Sequence, residues 1–125
     1  MIRGIGTDIV RVARLADALA RHGARFAGRI LDDTERAAFD AAHDRARLLA
    51  KRFAAKEAFG KALGTGVAAP ATLHAVRVGH DALGKPVFEF STALALYMHE
   101  RGLVAHLSLS DETDYVVAFA VIEKP

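Results

Sequence analysis

AKRFAAKEAFGKALGTG, residues 50–66, reads as a helix that ends at glycine; extended upstream, it predicts a helix over residues 45–63 closed by Gly64, a good C-terminal cap residue. Its charges are oddly placed. Arg52 and Lys56 are like charges one turn apart, which weakens an isolated helix. At about 100° per residue they share an arc with Phe59 and Leu63, the arc a helix normally turns to a core. Glu57 is a single carboxylate among Lys51, Arg52, Lys56 and Lys61. Glu57 and Lys61, at i and i+4, can form a plain surface salt bridge. That pairing leaves Arg52 and Lys56 without a reason. An anionic ligand would satisfy them, and a divalent cation on Glu57 would complete an arrangement for phosphate chemistry. Magnesium commonly takes one or two protein carboxylates and fills its other positions with water and phosphate.

The composition sets limits on the rest. At 125 residues the chain suffices for one domain, 1–125, and not comfortably for two. Its 52% hydrophobic and 26% charged content is that of a soluble globular protein. So small a domain has little interior for a deep pocket, which favours a site built between subunits. The absence of cysteine excludes disulfides, thiolate zinc sites and a cysteine nucleophile, and suits a reducing compartment. MIRGIGTDIV lacks a basic-then-apolar signal pattern, and VVAFAVI (116–122) is too short to span a bilayer, so a cytoplasmic protein is expected. A net charge of +2 and a pI near 9.2 fit a partner carrying phosphates or carboxylates and fall short of a nucleic-acid footprint. The six histidines show no HExxH-like spacing.

Along the chain, residues 2–10 predict a strand entered through GIG, and 11–22 a helix with Val12, Ala16, Leu19 and Ala20 at helical spacing. RFAGRIL (25–31) predicts a further turn or two. In LDDTERAAFDAAH (31–43), Asp32 followed by Glu35 resembles a capping box that opens a helix. TLHAVRVG, HDALGK and PVFEF (72–90) predict strand, turn and strand. Ser91 caps a short helix through ALALYMHE, and VAHLSLS, DETD and YVVAFAVI (104–122) make a second hairpin. This order predicts an α+β domain with a mainly antiparallel sheet packed with helices.

Three stretches carry further chemistry. In GIGTD (4–8), two glycines separated by one residue let the backbone turn tightly or approach another group closely, although GxGxxG is absent. Asp8, near the end of an apolar strand, is costly to bury unless paired or bound to metal; an edge or turn position is the alternative. Asp8 and Glu57 are suitable magnesium donors if the fold unites them, which spacing does not show. HLSLSDE (106–112) puts His106, Ser108 and Ser110 on one strand face and Leu107 and Leu109 on the other, giving a solvated face or a polar floor for a ligand. Arg11, Arg14 and Arg21, followed by Arg25 and Arg29, form a solvated basic face or a docking surface for an acidic protein. Arg14 and Arg21 are about two helical turns apart and share a side.

GIGTDIV (4–10), RFAGRIL (25–31), RFAAKEAFGKALGTG (52–66), LGKP (83–86) and HLSLSDE (106–112), in this order over essentially the whole chain, resemble the holo-acyl-carrier-protein synthase family, the small 4′-phosphopantetheinyl transferases. The resemblance implies that fold and the transfer of 4′-phosphopantetheine from coenzyme A to a serine of apo-acyl carrier protein, within lipid metabolism. By similarity Asp8 and Glu57 hold magnesium, Lys61 contacts the reacting phosphate, and Arg52, Gly64 and Thr65 belong to the coenzyme A site. Lys85, Pro86 and His106 resemble positions that embrace the nucleotide end from a neighbouring subunit of a homotrimer. The carrier is expected to meet Arg14, Arg21 and Arg25. Asp111 departs from the histidine many members carry there, leaving Glu57 or a metal-bound water to deprotonate the serine. Two other readings are a non-catalytic basic module that binds acidic proteins or RNA, and a magnesium-dependent hydrolase of nucleotide pyrophosphates.

Overall fold

The computed structural model describes residues 1–125. Strand β5 (Tyr115–Glu123) alternates small and branched apolar residues, and the alternation splits it into two faces. Val116, Ala118, Ala120 and Ile122 are buried, while Tyr115, Val117 and Phe119 stay open. β5 is the centre of a three-stranded antiparallel sheet, flanked by β1 (Ile2–Arg11) and β4 (Val104–Asp111) in the order β1-β5-β4. A separate antiparallel hairpin, β2 (Val76–His80) and β3 (Pro86–Phe90), forms a second sheet. The expected single sheet is thus two, and both are antiparallel throughout.

The five helices are α1 (Val12–His22), α2 (Ala24–Ile30), α3 (Arg36–Ala41), α4 (Arg45–Leu63) and α5 (Thr92–Glu100). A 3-10 turn at Asp33–Glu35, opened by the Asp32 capping box, precedes α3. α4 has the predicted span. Asp44 caps its start by accepting from the Arg47 N–H, and Gly64, at φ 93°, ends it in the left-handed region that glycine adopts without strain. Its buried residues, including Leu49, Ala50, Ala54, Ala55, Ala58 and Phe59, are spread around the helix because elements pack on several sides. The three-stranded sheet covers one side. On another, the Phe59 ring meets Phe88 edge-on at 5.2 Å and Phe90 at 5.1 Å.

The predicted strand at 72–79 begins only at Val76. Thr72 O accepts from the amides of Ala75 and Val76, so residues 72–75 are held as a turn before the ladder starts.

β1 turns Gly4, Gly6, Asp8 and Val10 toward α4, and Ile5, Thr7 and Ile9 to the opposite face. The two glycines serve close approach. A Cβ on Gly4 would run into the carbonyl oxygen of Ala62, and one on Gly6 into that of Ala58. Neither obstacle is a flexible side chain. Gly6→Ala should therefore cost about 3 kcal/mol of stability in urea unfolding, at the upper end of overpacking penalties. Gly28→Ala, whose Cβ would meet only the Arg36 side-chain terminus, is the control and should cost far less.

Candidate active site

The approach of β1 to α4 brings Asp8 against the last turns of the helix. Lys61 Nζ donates to Thr7 O at 2.9 Å and to Asp8 Oδ1 at 3.2 Å. The surface salt bridge between Glu57 and Lys61 is not what forms; Lys61 crosses to the strand instead. Burial pushes the Glu57 carboxyl above its ordinary value, and the Asp8 charge pushes it further, while Lys61 and Arg14 pull it back. Asp8 and Glu57 therefore share one electrostatic neighbourhood with like charges only partly relieved. That donor set suits a divalent cation. No group of three or more histidine, aspartate and glutamate side chains gathers anywhere in the chain; two carboxylates are the number that magnesium commonly takes from a protein.

Arg52 and Lys56 have a different explanation from the one their helical positions predict. Both are buried, and their counter-charge is Glu35, itself only 3% exposed. Lys56 Nζ donates to Glu35 Oε1 at 2.6 Å and to the carbonyls of Ile30 and Leu73, each at 2.7 Å. Those three acceptors use all three ammonium protons. Desolvation lowers the Lys56 pKa, opposed chiefly by the Glu35 charge. Arg52 Nη1 donates to Glu35 Oε2 at 3.2 Å, and the Val78 amide donates to the same oxygen. The expectation that an anionic ligand satisfies both Arg52 and Lys56 is corrected for Lys56, whose protons all go to acceptors within the chain, while Arg52 shares the same buried carboxylate through Nη1 alone. Glu35 is the residue that sequence reasoning missed, because its capping-box signal accounts for it locally.

Arg52 nonetheless lines a cleft of about 300 Å³ with Asp44 before α4, Arg47, Leu48 and Lys51 of α4, Val78 and His80 of β2, and Leu109 of β4. Gly64 and Thr65 lie just past α4, where Thr65 Oγ1 donates to Gly66 O. Lys85 ends the β2–β3 turn and Pro86 opens β3; Asp81 Oδ1 holds that turn by accepting from the Leu83 and Lys85 amides. Neither touches Asp8, Glu57 or Lys61. His106 lies on the sheet face away from α4, paired with Glu123 Oε2 at 3.0 Å, and so is not joined to Asp8 within one chain. Ser108 and Ser110 share that open face with Ile5, Ile9, Val117 and Phe119.

The arginines divide among three places. Arg14 and Arg29 border an apolar groove of about 270 Å³ floored by Leu15, Ala18, Phe26 and Phe53. Arg21 is exposed in the last turn of α1. Arg25, beyond the break at Gly23, lines an open cleft of about 730 Å³ with Arg29, Thr72 and His74, which touches neither Asp8 nor Glu57. That cleft is large because it is shallow, and no carboxylate lines it.

The raised Glu57 value has a consequence for stability. A carboxyl that holds its proton more tightly when folded costs stability at pH values above its folded pKa, and this cost vanishes below the unfolded value of about 4.5. Glu57→Gln should thus raise the thermal midpoint of the metal-free protein at pH 7, and the gain should disappear as the pH falls below 4.5. Differential scanning calorimetry across that range checks it.

Residues 4–120 match the model of the 4′-phosphopantetheinyl transferase superfamily. The chain is 69% identical, over 99% of both sequences, to the holo-[acyl-carrier-protein] synthase of Aromatoleum aromaticum. Its fold matches the crystal structure of the Neisseria meningitidis holo-[acyl-carrier-protein] synthase with a TM-score of 0.94 at 49% identity, covering 99% of this chain and 100% of that one. It also matches the Bacillus anthracis synthase in complex with coenzyme A (3′,5′-ADP), with a TM-score of 0.84 at 34% identity over 100% and 99% of the two chains. Motifs, fold and full-length identity agree, and the chain belongs to the holo-[acyl-carrier-protein] synthase family of 4′-phosphopantetheinyl transferases.

Proposed function

We propose that this protein transfers the 4′-phosphopantetheine group of coenzyme A to a serine hydroxyl of an apo-acyl carrier protein and releases adenosine 3′,5′-bisphosphate. The observation that carries the reading is the union of Asp8, Glu57 and Lys61 at the β1–α4 contact, in a chain whose relatives bear that activity in their names. In the transfer the serine oxygen forms a bond to the phosphorus that bears pantetheine, and the bond from that phosphorus to the adenosine 5′-phosphate oxygen breaks. Asp8 and Glu57 would hold magnesium, whose charge would stabilise the pyrophosphate as its negative charge redistributes. Lys61, fixed by Thr7 and Asp8, keeps its cationic head beside these carboxylates and contacts the reacting phosphate. The serine proton would go to Glu57, which Lys61 leaves unbonded, or to a water beside it.

Arg52, Gly64 and Thr65 belong to the coenzyme A site in this reading, with the nucleotide end reached by Lys85, Pro86 and His106 of a neighbouring subunit. The open apolar sheet face supports a homotrimer: Ile5, Ile9, Val117 and Phe119 are between 38% and 63% exposed in the single chain, and His106 stands among them. Light scattering should give three times the 13.4 kDa chain mass, and an active monomer would remove the shared-site arrangement. No helix is long and apolar enough to cross a membrane, and the proposed place of work is the cytoplasm, where coenzyme A and its carrier meet.

Intact-mass spectrometry of apo-carrier incubated with coenzyme A, magnesium and enzyme tests the activity. A phosphopantetheine-sized gain supports transfer; nucleotide cleavage without gain means a hydrolase. Asp8→Ala and Glu57→Ala should each lose transfer by roughly a hundredfold or more while remaining folded, since each removes a charge that the transition state needs. Wild-type turnover in either would sink the metal assignment.

The carrier is acidic and is proposed to dock on Arg14, Arg21 and Arg25. Arg14 also acts on Glu57, so Arg21 and Arg25 are the cleaner probes. Reversing both to glutamate should raise the KM for the carrier, most at low ionic strength, and leave the KM for coenzyme A unchanged. Steady-state kinetics at two salt concentrations checks this.

A further inference from the structure

Asp111 ends β4 on the face turned to α4, opposite Val116. Its carboxylate is engaged: Arg47 Nη1 donates to Oδ2 at 3.0 Å, and the Lys51 ammonium stands 3.8 Å from the same oxygen. The guanidinium also donates to two carbonyls of the following turn, Nη1 to Glu112 O at 2.7 Å and Nη2 to Thr113 O at 2.6 Å. Its Nε reaches Asp44 Oδ2 at 3.4 Å. A guanidinium has five N–H groups, so Arg47 is nearly consumed by these contacts. Lys51 is not, because 3.8 Å lies beyond hydrogen-bond distance and leaves its donors free.

β4 is an outer strand of its sheet, and α4 packs chiefly on β1 and β5. The Arg47 contacts are therefore a polar tie between the β4–β5 turn and the start of α4, beside the basic cleft that Leu109 lines. Within one chain Asp111 is also remote from Asp8: two strand spacings, roughly 10 Å, separate β4 from β1.

We propose that Asp111 is a positioning residue that acts through Arg47, latching the β4–β5 turn to the first turns of α4 so that Leu109 and Lys51 frame the cleft for the anionic nucleotide end of coenzyme A. It takes no part in proton transfer. The inference rests on the transferase reading and deepens it by assigning the latch to substrate binding rather than chemistry.

The test is steady-state transfer by the wild type, Asp111→Asn, Arg47→Met and the double variant, with coenzyme A varied and kcat followed against pH. Asp111→Asn should raise the KM for coenzyme A about three- to fivefold, the effect of losing one partly exposed ion pair. Its kcat should stay within about twofold of wild type, with an unmoved pH profile. The double variant should be no worse than Arg47→Met alone, because the two residues form one unit. Asp111→Glu, which keeps the carboxylate, should recover part of the lost affinity. A kcat fall of roughly a hundredfold with a shifted pH profile would make Asp111 a base and overturn the proposal. Additive penalties in the double variant, or an unchanged KM in Asp111→Asn, overturn it equally. A wild-type protein that adds no mass to the carrier overturns the transferase reading itself, a result separate from all of these.

Discussion

The close packing of β1 on α4 is the constraint on which the rest depends. Gly4 and Gly6 let the strand backbone reach the helix backbone at Ala62 and Ala58, an approach that any side chain would block. The same strand face then continues to Asp8, two residues on. With no spacer between the elements, Lys61 can bond the strand carbonyl at Thr7 and the Asp8 carboxylate at once. The proposed reactive constellation is thus a product of backbone proximity. Its cost is visible in Glu57, whose charge is disfavoured by burial and by Asp8.

A second anchor holds the other side of α4. Glu35 accepts from Lys56, Arg52 and the Val78 amide, tying α4 to the segment before α3 and to β2. Burying three ionised groups is unfavourable unless their hydrogen bonds are satisfied, and here Lys56 has every proton accepted. This network ties one side of α4 to the segment before α3, to Leu73 and to β2. The rotation of α4 about its axis matters because Glu57 and Lys61 must face β1 while Arg47, Lys51 and Arg52 border the cleft.

The sheet separates the remaining residues by side. Val116, Ala118 and Ala120 turn to α4, whereas His106, Ser108 and Phe119 turn away. One chain therefore cannot bring His106 to Asp8. A site using both must draw them from different copies, which agrees with the open apolar face around His106.

Local order was legible in the sequence. The span of α4 and its Gly64 cap, the Asp32–Glu35 capping box, the Ser91 cap and the alternation of HLSLS all rest on interactions between residues a few positions apart. The motifs also identified Asp8, Glu57 and Lys61 as a set by resemblance. Tertiary structure alone decided the partners. Lys61 bonds Asp8 across 53 positions, Lys56 bonds Glu35 across 21, and Arg47 bonds Asp111 across 64. Helical spacing correctly marked Arg52 and Lys56 as inward-facing charges, yet it held no information on what faced them. The physical reason is that periodicity records which side of an element is buried, whereas the identity of a distant counter-charge depends on how elements pack.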